Sequence, residues 1–276
     1  MRRVPLASLL LLSCLAMGSS GVRPADVATT CDEACLTKAL RDYAKALADG
    51  VESVAGHKAY RGDLDQAAGA AYLTRQLLKN IESKILQESD FPFFRVLDFR
   101  IRDGGDSADQ KYLMAEIRGG ETYRIWGTRG NHRRLDFQIY AGEPWSKQGG
   151  RVTATVASDD LRLAPDGSFE IFVGPERPSD GGNWLHNPSD GTTVIVRQIF
   201  GDWSKELPGE VHIDRIGHEG DPKPPIDRAE MARRLSEAAG ALRANATVWP
   251  DFVDRLYFNE KPENWISRPS DPSRLG

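Results

Sequence analysis

The sequence predicts a mainly β fold: an antiparallel jelly roll or β-sandwich with α-helices at its N-terminal and C-terminal ends. Three observations carry this. Between about residues 91 and 220, seven to nine short runs alternate apolar and polar residues, the period of a half-buried strand. Gly, Asp and Pro clusters separate the runs at hairpin-like spacing. No helical stretch of useful length lies between them, which argues against a parallel sheet, whose crossovers need one.

Taken in order, the chain opens with Arg2 and Arg3, then an apolar run from Leu6 to Ala16, then the small residues of Ala16-Met17-Gly18. That is the pattern of an export signal over residues 1–20, too short to span a bilayer. Leu11-Leu12-Ser13-Cys14 also resembles a lipobox, so an outer-membrane lipoprotein anchored at Cys14 is the alternative to a periplasmic or extracellular protein. Residues 21–30 are small and polar and read as a linker. With Cys14 removed, Cys31 and Cys35 form an even pair, expected as a disulfide in an oxidising compartment.

Residues 31–90 form an N-terminal helical segment. Leu36, Leu40, Tyr43, Ala44 and Leu47 have helical spacing after Asp32, and Gly50 is the expected stop. A second helix begins at Asp63, with Gln66 placed for a capping box, and runs to about Gln87; its stripe is Ala67, Ala71, Leu77 or Leu78, Ile81 and Ile85. Strands follow through 94–101, 112–117, 122–126, 135–140, 152–156, 169–173, 192–200 and 211–213. Residues 221–258 return to helix: Asp227 and Glu230 cap it, Met231, Leu235, Ala238 and Leu242 give its stripe, and Pro250 is expected to break it before a last short helix. Residues 259–276 read as a tail.

Composition narrows function. The net charge of −4 and a pI near 5.8 argue against nucleic acid as a partner, which needs a basic face. Beyond the signal, no stretch is apolar for 18 residues, so no transmembrane helix is expected. No HxH, HExxH, phosphate loop or GxSxG occurs, so no metal or cofactor is expected, although His186 is the best candidate ligand should a metal be held.

Four blocks stand out: Tyr123-Arg124-Ile125-Trp126-Gly127, Asp166-Gly167 before a strand, Gly182-Asn183-Trp184-Leu185, and Arg197-Gln198-Ile199-Phe200. In order and approximate spacing they resemble the bacterial family known as domain of unknown function 1214, over roughly residues 60–260. The resemblance implies an antiparallel jelly roll. Family members are often paired with domain of unknown function 1254 or carry an immunoglobulin-like domain upstream, where this chain has helices. His186 stands where a proline commonly follows the Asn-Trp-Leu block. The resemblance implies a fold and brings no settled chemistry.

Candidate site residues come from strand alternation. Arg197 lies between Ile195 and Ile199 on one strand face, so it is expected largely out of water with a carboxylate partner, first Glu116 and second Glu170. Glu116 shares a face with Tyr112 and Met114, and Arg124 shares one with Trp126. Asn183 and Trp184 are read as a polar loop carrying either a ligand platform or a plug over the end of the sandwich. Arg124, Trp126, Asn183, Trp184, His186 and Arg197 are therefore the ligand-binding candidates. The leading expectation is a protein that binds a small molecule or saccharide in the mouth of the jelly roll. One alternative is a metal-independent lyase or hydrolase with Tyr140 or Tyr123 as base, Arg124 and Arg197 neutralising a carboxylate, and Glu116 or Asp136 positioning or protonating. A structural envelope protein is the other.

Overall fold

Asp32 starts the first helix by accepting the N–H of Cys35 at 2.8 Å, and the Cys31–Cys35 disulfide closes over that cap with its Cα atoms 5.4 Å apart. This computed structural model describes residues 31–58, 60–98, 100–101, 106–142 and 150–254. The expected export signal, linker, Cys14 and tail lie outside them. Helix α1 spans Glu33–Ala55 and passes through Gly50, its expected stop. Gly50 is buried, and a Cβ there would lie 3.2 Å from Leu73 and 3.5 Å from Ala246, so the glycine serves close helix packing. The buried stripe of α1 is Ala39, Ala46, Gly50 and Val54, whereas Leu40 is exposed.

Helix α2 spans Asp63–Asn80 and continues as a π-helical turn over Ile81–Leu86, ending where expected. Its cap differs from the expected Asp63 and Gln66 pair: Gly62 is the N-cap, and Asp65 accepts its N–H at 3.1 Å. Of its expected stripe, Leu77 and Ile85 pack part-buried against the other helices. The fully buried positions are Leu73 together with Gln76, Lys79 and Asn80, and Ser83 in the π-turn, polar residues that a hydrophobicity pattern cannot flag. Helix α3 spans Arg228–Val253, capped by Asp227 through the Glu230 N–H at 2.8 Å. It runs through Pro250 without a break. Pro250 falls in the last turn, where few hydrogen bonds remain to be lost, and packing of α3 on α1 outweighs that loss. Ala46, Ala239 and Leu242 are buried at that contact, and the two alanines let the helices approach closely.

Nine strands follow α2 among the described residues: β1 Arg95–Leu97, β2 Gln110–Glu116, β3 Tyr123–Thr128, β4 Arg134–Ala141, β5 Arg151–Ala157, β6 Ser168–Gly174, β7 Asn183–His186, β8 Gly191–Ile199 and β9 Glu210–Arg215. They form a β-sandwich. One sheet has the order β1-β2-β8-β4-β5, the other β7-β6-β3-β9. Alternation puts Leu113, Phe137 and Val196 of the first sheet against Ile125, Phe169 and Ile171 of the second, all buried in one core. The ladders are antiparallel except β6 with β7, which run parallel with Phe172 opposite Trp184. Neither sheet is parallel as a whole; this one edge pair is the exception within an otherwise antiparallel sandwich. Strand β7 is only four residues long, so the eight residues 175–182 suffice to bring the chain back without a helix.

Two buried amides fasten the ends. Gln198 exchanges two hydrogen bonds with the backbone of Gly209, both at 3.1 Å. Asn187 donates to the carbonyls of Arg118 and Glu121. Each satisfies main-chain groups that no neighbouring strand reaches.

Candidate functional site

The outward residues of the four-stranded sheet form a grid of side chains set by register. Arg124 stands between Phe172 and Asp214, and Trp126 between Glu170 and His212. The Trp126 ring stacks on His212 with centroids 4.3 Å apart and planes inclined by 23°. Its indole N–H donates to Asp214 at 2.6 Å, and the Arg124 guanidinium meets the same carboxylate oxygen at 3.1 Å. Glu170 lies 3.7 Å from the other side of Arg124. Asp214 thus locks both Arg124 and Trp126, yet Trp126 remains 38% exposed. A large ring held in place by charged neighbours and still open to solvent costs little side-chain entropy to bind with.

This face borders a cleft of about 830 Å³, with Arg124 and Trp126 on one side and the loop carrying Arg177, Pro178 and Asp180 on the other. The volume lies within the range of small-molecule sites. Arg162, donating to the Gly181 carbonyl at 2.5 Å, ties the two bordering loops together. The arginines of the lining, Arg124, Arg162 and Arg177, are matched in number by Glu170, Glu176 and Asp180. The cleft therefore mixes donors, acceptors and aromatic surface with little net charge.

The predicted site residues separate. Arg124, Trp126 and Asn183 meet at this cleft. Asn183 is already committed, however. Its amide accepts from the Arg162 N–H at 2.8 Å and donates to the Arg162 and Glu170 carbonyls, so it staples loop to sheet. Trp184 and His186 project from β7 on the same outer face, beyond the cleft lining. Trp184 does not lie in a loop. It belongs to a strand, donates to the Gly174 carbonyl at 3.2 Å, and carries Arg177 5.8 Å from its ring. The residues missed from sequence are His212 and Asp214, whose alternation on β9 was legible, and Arg162 and Arg177, which sit in loops without a pattern.

Arg197, Tyr140 and Glu116 lie on the outer face of the five-stranded sheet, across the core from Arg124. The expected Arg197–Glu116 and Arg197–Glu170 pairs do not form. Glu116 pairs with Lys84 at 3.3 Å, and Glu170 is on the opposite sheet. Arg197 is half-buried and bonds to Gln138 and to the Tyr140 hydroxyl. Asp136 faces Arg197 in register but pairs with Arg134 at 2.8 Å. Tyr123 lies in the core, its hydroxyl accepting the Arg118 N–H at 2.8 Å, and burial raises its pKa. That is unfavourable to a general base. Among the described residues, no group of three or more His, Cys, Asp or Glu is placed to hold a metal. No helix there is long and apolar enough to cross a membrane.

No family model matches the chain, and no curated protein does. Among solved structures, the chain is similar to an uncharacterized protein from Burkholderia cenocepacia, with 26% identity and a TM-score of 0.72. The match covers 79% of this chain and 61% of that one, so this chain spans under two thirds of that protein's length. The VPA0106 protein from Vibrio parahaemolyticus matches at 16% identity over 46% of this chain and 31% of its own, with a TM-score of 0.27, which is too little shared fold to bear on this chain. The sandwich is shared with the Burkholderia protein; no chemistry comes with it.

Proposed function

We propose that the protein binds a neutral saccharide in the cleft of the four-stranded sheet. The observation that supports this best is Trp126, fixed by His212 and Asp214 and still 38% exposed, beside a lining whose arginines and acids balance. A sugar offers the complement: C–H faces that stack on an indole, and hydroxyls that both donate and accept. A strongly charged ligand would leave half of that lining opposed to it. Glu116, Arg124, Tyr140 and Arg197 are spread over both outer faces, so the binding reading is preferred to an acid–base enzyme assembled from them.

Calorimetric titration of the chain with maltose, cellobiose and chitobiose tests the proposal. At least one should bind, and Trp126→Ala should weaken it tenfold or more while leaving the unfolding midpoint nearly unchanged. Wild-type affinity in Trp126→Ala, or no heat with any neutral saccharide, defeats it.

The same proposal reads the chain as exported and as related to the domain of unknown function 1214 family, on the strength of residues 1–20 and the four sequence blocks. The exported protein should begin near residues 18–20 by intact mass. Retained Met1 overturns export, and a diacylglyceryl group on Cys14 selects the lipoprotein form.

A further inference from the structure

On the outer face of the five-stranded sheet, Arg197 is held by neutral groups only. One guanidinium nitrogen donates to the Gln138 amide oxygen, the other to the Tyr140 hydroxyl at 3.3 Å, and the guanidinium carbon lies 5.8 Å from the Tyr112 ring centroid. The acid placed for it, Asp136, stands directly across the β4–β8 ladder and is instead engaged by Arg134. No carboxylate among the described residues pairs with Arg197. A half-buried guanidinium normally demands an opposite charge, because burial removes its hydration. Two of its five N–H donors are used, which leaves three.

The surroundings are rigid. Tyr140 is 1% exposed, and Met114 and Ile195 pack beside it. Gln138 and Tyr140 fix the plane of the guanidinium, so orienting it for a ligand costs little further entropy. The face thus holds a cation without a carboxylate partner, fixed over an aromatic ring.

We infer that Arg197 anchors a small monocarboxylate, whose two oxygens take the remaining guanidinium donors. This site is independent of the saccharide cleft, which is on the other sheet. A planar carboxylate matches the guanidinium fork better than a spherical anion does.

Benzoate is the probe, and benzamide its neutral control. Titration followed by NMR should show saturable binding of benzoate, weakening as salt is raised from 50 to 500 mM, and none of benzamide. Arg197→Met should abolish benzoate binding while leaving the unfolding midpoint nearly unchanged, since no buried acid is stranded. Tyr140→Phe, which removes one orienting hydroxyl, should weaken binding severalfold and provides the comparison if the Met variant fails to fold. No benzoate binding at millimolar concentration, equal binding of benzamide, or undiminished binding in both variants overturns the inference.

Discussion

His132 is a base whose charged form the fold disfavours. It is 1% exposed beside Phe200, with ring centroids 5.4 Å apart. Burial pushes its pKa below the ordinary value of 6.5, and the nearby Arg129 cation pushes it further the same way. Near pH 6.5 the unfolded chain therefore takes up a proton more readily than the folded chain does. Stability from this residue is complete above pH 6.5 and is lost as pH falls toward the depressed folded value, by at most about 1.4 kcal/mol per pH unit. His132→Phe should remove that slope. Urea unfolding of both proteins between pH 5 and 7 checks it: the wild type should lose stability across the interval and the variant should lose less. Equal slopes would mean the imidazole is protonated in the folded state.

At the scale of elements, α1 shows how a weak helix start is secured. Its N-cap, Asp32, is one bond from Cys31, and the Cys31–Cys35 bridge fixes the first turn around the capping contact. Closing so short a loop removes unfolded-state entropy worth about 2 kcal/mol. Cys35→Ser should lower stability by that amount, read as a shift of the denaturation midpoint at unchanged slope, and reducing agent should do the same to the wild type. No shift would mean that the first turn frays before the rest of the chain unfolds. Strand β7 makes a contrasting case. Asn183 and Trp184 sit among Gly, Pro, Ser and Asp, so their stretch reads as a loop. Pairing with the end of β6 and the three hydrogen bonds of the Asn183 amide make it a strand. Local composition could not reveal a partner that lies across an eight-residue return.

For the whole molecule, a two-sheet sandwich has one inside and two outsides. Inward residues such as Phe137 and Ile171 meet in a shared core. Outward residues of the two sheets can never meet each other. This is why Arg124 and Arg197, both outward, serve separate surfaces: one faces Asp214 and Trp126, the other Gln138 and Tyr140. A site combining them, as the lyase or hydrolase reading requires, would have to pass through the core.

By itself, the sequence determined the fold class, the approximate positions of most strands, the Asp227 cap and the cysteine pair. These depend on neighbours within a few residues, and period-two alternation or a capping spacing records such neighbours directly. Tertiary structure alone decided that Gly50 and Pro250 lie within continuous helices, because packing of α1 on α3 outweighs their local cost. It decided also that Gln76, Lys79 and Asn80 are buried beside Leu73 on α2, and that Asp136 pairs with Arg134 and leaves Arg197 to neutral partners. Alternation says which residues share a face of one strand. Which sheet that strand joins, and which charge reaches which, depends on pairings between segments far apart in the chain, and those leave no local signature.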